Sequence, residues 1–289
     1  MPGPIPRNLR GDGLIRRTPE DRSPLTIGTP EESGDGQVMT PSQYAHTKLQ
    51  LALWGCGIGF GLLFFIGLMP LAGFIPPPAP GLSATQLMAE FGPKIAWVKF
   101  GIIVGLLGAA LLIPWSAMVS LQIARMEQGR RVPLWALFSF GAGCVNAVAF
   151  ILPFIFWAGA FYRPNRSPEL ILLINDMTWL EFLMFFPAFS MQLFCLAMAG
   201  FTQRQGAPVF PRWFLYLNLW MATIGGTGVI SIYFFSGPFA WNGLIGFWLP
   251  VGSYVPFLIV TFIVFYRVIK AEPDTYQVPA APEAVRAAG

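Results

Sequence analysis

The stretch at residues 100–124, FGIIVGLLGAALLIPWSAMVSLQIA, contains no charged side chain and lies between Lys99 and Arg125. A helix of about 20 residues, rising about 1.5 Å per residue, crosses the roughly 30 Å hydrocarbon core of a bilayer. A charge at each end and none in between is typical of a segment that passes through lipid. The stretch therefore predicts a transmembrane helix.

Four further charge-free intervals repeat this pattern along the chain. They lie at residues 49–89, 132–162, 182–203 and 213–266. The proline-rich segment 76–81 limits the first interval to one crossing, and the last is long enough for two crossings joined by a hairpin at 236–243. The six spans are expected near residues 50–74, 97–124, 134–161, 178–202, 213–235 and 243–267. The sequence thus predicts an all-α membrane protein, a bundle of six transmembrane helices.

The overall composition supports this class. Hydrophobic residues make up 55% of the chain and charged residues only 11%, against about 25% charged residues in an average globular protein. A soluble domain of this size lacks the interior volume to hide so much apolar surface. The expected partner is the lipid bilayer. Nucleic acid is not an expected partner, because no solvated basic domain is present.

The two ends of the chain differ from the membrane domain, which is expected at residues 40–270. Residues 1–39 hold 11 of the 32 charges, with many Pro, Gly and Ser, and are predicted to be a disordered tail. They lack the pattern of a cleavable signal peptide. Residues 271–289 are Pro- and Ala-rich and are predicted to be a flexible tail.

Local signals place several helix starts. Thr40–Gln43 and Thr178–Glu181 fit the capping box, in which a hydroxyl and a side-chain carbonyl satisfy backbone N–H groups reciprocally. Ser83-Ala84-Thr85-Gln86 predicts a short helix in the first loop. Ser167-Pro168-Glu169 favours a short interfacial helix before the fourth span.

Helix breakers occur in every span and predict kinked helices. They are Pro70, Pro114, Pro153, Pro187, Pro250, Pro256 and the glycines of Gly225-Gly226-Thr227-Gly228. Such glycines inside a span allow close packing of helices. Kinked spans also commonly surround a cavity.

Basic residues near the helix ends predict the orientation. Eight of them fall on the side of the two termini and four on the opposite side. The positive-inside rule therefore places both termini in the cytoplasm of a multi-pass protein of the cell (inner) membrane. The compact basic loop between the second and third spans, with Arg125, Arg130 and Arg131, contributes to this bias and has either a topogenic role or a docking role.

The residues that usually carry chemistry are scarce. His46 is the only histidine and precedes the first span, while Cys56, Cys144 and Cys195 lie on three different spans. A bis-histidine haem, a histidine-rich metal cluster or a catalytic triad cannot be assembled from one copy of this chain. No cofactor, metal site or catalytic residue is therefore expected.

Four polar residues near the predicted outer helix ends are the candidates for substrate binding: Lys99, Asp176, Glu181 and Asn242. Polar groups at membrane depth are costly and frequently functional. In one interpretation Lys99 pairs with Asp176 or Glu181 at the mouth of an outward-facing pocket. In the other, Glu181 completes a helix cap and Lys99 reaches the lipid headgroups.

Three amides lie deeper, at Asn146, Gln192 and Asn218 on the third, fourth and fifth spans. Amides in such positions usually form hydrogen bonds between helices. No charged residue is expected near the bilayer midplane, which disfavours a proton relay or ion-coupled pump.

Three classes of function remain open. The favoured hypothesis is binding or transport of a small apolar or amphipathic molecule through an outward-facing pocket, because the spans are rich in aromatic residues and helix breakers. The alternative is a non-catalytic accessory subunit that organises a partner protein. The third is a membrane enzyme that uses Asp176 and Glu181 as acid and base.

Overall fold

A computed structural model describes residues 41–271, with side chains from His46 onward. The two predicted tails, residues 1–39 and 271–289, lie outside the described residues apart from Ala271. Thr40 lies outside them too, so the first predicted capping box is not part of the structure. All regular structure within residues 41–271 is helical, without strands.

The described part of the chain forms nine α-helices, joined by short turns of other helix types. They are α1 (Pro41–Ile66), α2 (Ala84–Phe91), α3 (Ile95–Ala110), α4 (Leu112–Met126), α5 (Leu134–Phe161), α6 (Pro168–Met184), α7 (Phe186–Phe201), α8 (Arg212–Ile224) and α9 (Leu249–Lys270). These helices build six segments that are long and apolar enough to cross a membrane, which confirms the predicted number of spans. The segments are His46–Leu71, Ala84–Met126, Leu134–Phe161, Pro168–Phe201, Arg212–Tyr233 and Leu244–Lys270. The chain is thus a multi-pass membrane protein.

The loops of the bundle meet in two groups, which define its two ends. At the terminal end, where the described chain begins and finishes, Arg130 Nη2 donates a hydrogen bond to Thr202 O at 3.0 Å between two loops. At the distal end, Trp241 Nε1 donates to Pro78 O at 2.8 Å between two others. Successive spans therefore run in opposite directions.

The helix predicted in the first loop is confirmed as α2. Ser83 Oγ accepts a hydrogen bond from the backbone N–H of Gln86 at 3.3 Å, and Gln86 Oε1 accepts one from the backbone N–H of Ser83 at 2.8 Å. Both partners of the capping box are in place. This reciprocal pair fixes the start of α2 at the distal end.

The fourth span differs from the prediction at its start. It begins at Pro168 instead of near residue 178, and no separate interfacial helix precedes it. The capping box predicted at Thr178 is wrong, because the helix has already run for ten residues and its N–H groups are satisfied there. The Thr178 hydroxyl instead donates to Ile174 O, one turn earlier, at 2.6 Å.

Regular α-helix is interrupted beside several of the prolines, and Pro114 and Pro187 are two examples. The second span breaks at Leu111, three residues before Pro114, and the fourth breaks at Phe185, two residues before Pro187. Proline has no N–H to donate and its ring crowds the carbonyl four residues earlier, so the preceding turn cannot close normally. Pro153, in contrast, lies within the continuous helix α5.

Three glycines of α3 bring its backbone against the backbone of the first span. A Cβ atom at Gly101 would lie 2.5 Å from Ala72 N and 2.6 Å from Gly67 O, and one at Gly108 would lie 2.6 Å from Phe64 N. At Gly105 it would lie 2.3 Å from the Phe154 ring of α5. This contact holds three spans together through residues without side chains, as in other membrane helix pairs.

Gly101→Ala is expected to lower the melting temperature of the protein in detergent, because the new Cβ must push two backbones apart. Overpacking of this kind costs about 1–3 kcal/mol of unfolding free energy. Gly141→Ala on α5 is the matched control, since a Cβ there meets nothing within 4 Å. The control is expected to leave the melting temperature unchanged or slightly raised. Equal melting temperatures for the two variants would contradict the close contact.

Candidate functional site

A cavity lined by aromatic side chains, here called the aromatic cavity, lies inside the distal half of the bundle. Its empty space amounts to about 750 Å³, including the open space at its mouth. Eight of its lining residues are aromatic: Phe64, Phe65, Phe150, Phe182, Phe185, Phe186, Phe189 and Tyr254. The other lining residues are aliphatic, Gly, Pro or Met, with the single exception of Asn146. Five of the six spans contribute to this wall.

The rings of this wall support one another. Phe64 lies parallel to Phe182, with centroids 6.3 Å apart, and at an edge-to-face angle to Phe150, with centroids 5.1 Å apart. Phe186 and Phe189 also meet edge to face at 5.1 Å. Such ring pairs stabilise by about 0.5–1.5 kcal/mol each beyond the burial of their surface. The wall therefore contains two groups of rings in mutual contact: Phe64, Phe65, Phe150 and Phe182 form one, and Phe186, Phe189 and Tyr254 form the other.

A second cavity, here called the amide cavity, lies one to two helical turns closer to the terminal end. Its empty space is about 530 Å³, counted in the same way. The three amides singled out in the sequence, Asn146, Gln192 and Asn218, all line it, together with Thr261 and Tyr254. The structure therefore brings these three residues, from α5, α7 and α8, to one place.

The polar side chains of the amide cavity form only a few hydrogen bonds with other protein groups. Gln192 Nε2 donates to Ser139 O of α5 at 3.5 Å, so this bond joins two helices. Asn218 Nδ2 donates to Phe214 O within its own helix at 2.7 Å. The Thr261 hydroxyl is buried and has no hydrogen-bond partner among the described residues.

Three residues form the wall that both cavities share. They are Asn146, Phe189 and Tyr254. The rings of Phe189 and Tyr254 meet edge to face, with centroids 5.4 Å apart. None of the residues described as lining either cavity is charged. The two cavities are therefore neighbouring, uncharged compartments separated by a thin aromatic partition.

The four outer candidates do not line either cavity, and the structure does not join them. Lys99 is exposed, and in the described chain no ion pair connects it to Asp176 or Glu181. Asn242 is half-buried and lies in the turn next to Trp241. Their part in substrate binding stays a prediction.

Asp176 has neighbours that can hold it in position. Its carboxylate forms a hydrogen bond with the Asn175 side chain. Asn175 Oδ1 in turn accepts from Trp157 Nε1 at 3.4 Å. The other face of the Asp176 carboxylate, Oδ1, is buried without a partner in the described part of the chain. Asp176 is thus one member of a small polar chain between α5 and α6.

Glu181 lies inside the fourth span. It follows Pro168 by 13 residues, which places it about 20 Å along the helix. Both of its carboxylate oxygens are buried, and neither has a hydrogen-bond partner among residues 41–271. Because Thr178 does not form a cap, the capping role proposed for Glu181 is also lost. The carboxylate is therefore exceptional, since buried charges are normally paired.

A second buried glutamate, which the sequence reasoning missed, has the opposite surroundings. Glu127 is only 2% exposed, and its Oε2 accepts a hydrogen bond from the backbone N–H of Ala136 in the first turn of α5 at 2.9 Å. Its Oε1 lies 3.7 Å from Arg130 Nη1. The sequence contained a signal for this role, because Glu127 is an acidic residue in the loop that precedes the start of α5, where the helix dipole favours negative charge.

The basic loop is consequently part of the packing at the terminal end. Arg130 pairs with Glu127 and also donates to Thr202 O, a carbonyl at the end of α7 that the helix itself leaves free. Arg125 donates to Gln122 Oε1, and Gln122 Nε2 donates to Gln50 Oε1 of α1 at 2.7 Å. Arg131 is exposed. Of the three basic residues, two therefore hold helices together, and Arg131 faces outward.

Glu127→Gln is expected to lower the melting temperature, whereas Glu181→Gln is expected to leave it unchanged or to raise it. Removing the charge of Glu127 weakens its pairing with Arg130 and with the α5 dipole, and should cost about 1 kcal/mol. Glu181→Gln replaces a buried carboxyl group that has no partner to lose, and should leave the protein equally or more stable. Thermal unfolding of both variants in one detergent measures this. A Glu181→Gln variant that is less stable than Glu127→Gln would contradict these assignments.

The chain matches no protein-family model, no curated protein and no solved structure. No relative therefore supplies an activity, a substrate or a partner. What the protein does has to be inferred from the two cavities and from the polar groups around them.

Proposed function

We propose that this protein binds a small apolar or amphipathic molecule in the aromatic cavity and carries it within or across the cell membrane. The observation that carries the proposal is the aromatic cavity itself, which is lined almost wholly by apolar side chains. Ligand sites typically have apolar walls with few polar groups.

The empty space of the aromatic cavity is unfavourable for packing, which supports a role for it in ligand binding. Protein interiors are close-packed, and a void deprives the side chains around it of dispersion contacts. Apolar cavities stay dry and accept apolar molecules. An apolar or amphipathic ligand would restore those contacts, whereas a strongly hydrated solute would lose its water without replacement.

The helix interruptions around the aromatic cavity support the proposal that the helices of its wall move during transport. The break at Phe185 lies in its wall, and Gly225 begins the 3₁₀ segment Gly225–Tyr233 on another side. A Cβ at Gly225 would lie 1.4 Å from the Phe186 ring, so this glycine brings a flexible segment into direct contact with the wall. We propose that kinks at these places open and close the cavity.

The orientation belongs to the same proposal. The excess of basic residues at the terminal end supports a cytoplasmic position for both termini, so that the distal end faces outward. In this arrangement Lys99, Asp176 and Asn242 lie nearer the outer surface, whereas Glu181 lies at the depth of the cavity wall, next to Phe182. We propose that they attract or orient the ligand before it reaches the cavity.

Ala149→Phe is expected to abolish ligand binding, because Ala149 lines the aromatic cavity and a phenyl ring would fill it. Val148→Phe is the matched control on the same helix, since Val148 is 47% exposed and points away from the cavity. The test uses the full chain in lipid nanodiscs and phenylnaphthylamine, an uncharged fluorophore that brightens in dry apolar sites. Empty nanodiscs give the background from lipid.

Saturable fluorescence is expected for the wild type and for Val148→Phe, and a loss of at least about tenfold in affinity for Ala149→Phe. At one hundred times its Kd, the probe should also stabilise the wild type by about 2.7 kcal/mol. No saturable binding to any variant, together with stoichiometric copurification of another membrane protein, would overturn the proposal in favour of an accessory subunit.

A further inference from the structure

The amide cavity continues the aromatic cavity toward the terminal end. On each helix that lines both cavities, the residues of the amide cavity lie nearer that end. On α9 they run from Phe257 to Phe265, after Pro250 and Val251 of the aromatic cavity. Because the two cavities share Asn146, Phe189 and Tyr254, only this thin partition separates them, and a molecule that extends from one into the other has to displace the Phe189–Tyr254 pair of rings.

The two compartments offer different chemistry. The aromatic cavity has one amide in its wall, whereas the amide cavity has three amides and a threonine. Thr261 is 6% exposed, and its hydroxyl lacks a hydrogen-bond partner in the described chain. A buried polar group left unpaired is destabilising, so a ligand group that forms a hydrogen bond with it removes this cost.

Charge is missing from both compartments. Neither wall includes a Lys, Arg, Asp, Glu or His among the described residues, and Glu181 is not part of either wall. An ionised group moved into such a space has no counter-charge, and its transfer is far more costly than that of a hydroxyl or a carbonyl. The walls therefore favour a neutral polar group.

We infer that the amide cavity is a head-group subsite, and that the ligand is an uncharged amphiphile whose hydroxyl, ketone or amide head lies there while its apolar tail fills the aromatic cavity. This inference rests on the proposed function, because it assigns the two parts of one ligand to two neighbouring compartments. The smaller cavity takes the head, and the larger cavity takes the tail.

Four probes that share one tail separate the contribution of the head. They are para-hexyltoluene, para-hexylbenzyl alcohol, para-hexylbenzylamine and para-hexylbenzoic acid, used at neutral pH. Each probe is titrated against phenylnaphthylamine bound to the full chain in nanodiscs, and the loss of fluorescence measures displacement. The concentration of each probe in the lipid is measured separately with empty nanodiscs, and the affinities are calculated from that concentration. The affinities then report the transfer of a probe from the lipid into the cavity, because a ligand of this protein leaves lipid when it binds.

The alcohol is expected to bind about three- to tenfold more tightly than the toluene, which has no hydrogen-bonding head. The ammonium and carboxylate probes are expected to bind at least about tenfold more weakly than the alcohol. A charged probe that binds as tightly as the alcohol would overturn the inference.

Thr261→Val tests the subsite directly, because it replaces a hydroxyl by a methyl group of the same shape. It should weaken binding of the alcohol by about three- to tenfold and leave binding of the toluene unchanged. Thr223→Val is the matched control, since Thr223 lies on α8 with an exposed side chain that bonds to Leu219 O. The control should leave both affinities unchanged.

The outcomes distinguish the two proposals. If no probe displaces the fluorophore and the fluorophore itself does not bind, the proposed function fails, and the subsite fails with it. If all four probes bind alike and Thr261→Val changes none of them, the aromatic cavity remains a binding site, and the amide cavity is a helix-packing feature filled by water.

Discussion

The close approach of α3 to the first span is the contact on which the rest of the bundle depends. Between helices in lipid there is no hydrophobic driving force, so association relies on packing and on polar contacts. Glycines at positions 101, 105 and 108 let backbone meet backbone and leave room for Phe154 of α5 at the same point. Phe154 also lies edge to face with Phe64. The spacing of the first three spans thereby sets one side of the aromatic cavity.

Polar groups in this protein are divided between two uses. At the terminal end, Glu127 accepts from the Ala136 N–H and pairs with Arg130, and Gln122 donates to Gln50, so these groups join loops and helices. In the bundle interior, the Thr261 hydroxyl and the oxygens of Glu181 have no hydrogen-bond partner among the described residues. Unsatisfied groups in a low-dielectric interior are costly. Of these two residues, Thr261 lines a cavity, so its hydroxyl is the one that a ligand in the amide cavity could reach.

The sequence predicted the number of spans because lipid excludes charge from most of each crossing, a property that composition records directly. The third span, expected at residues 134–161, coincides with α5 (Leu134–Phe161). The fourth was expected to start later than α6 does, because Asp176 interrupts its apolar run. The residues that form the cavity walls could not be foreseen, since a phenylalanine that faces lipid and one that faces a void look alike in a single sequence.

The pairing of Arg130 with both Glu127 and Thr202 has a consequence for biogenesis. The loop that contains Arg130 is synthesised before α7, so Thr202 is not yet available to Arg130 while the early spans enter the membrane. In the proposed orientation this charge helps to decide which way the chain inserts, and only later does the arrival of Thr202 give it a fixed partner. Insertion depends on the charge alone, whereas the finished protein depends on the planar, forked guanidinium. Two successive events in the life of the chain therefore restrict the same position for different reasons.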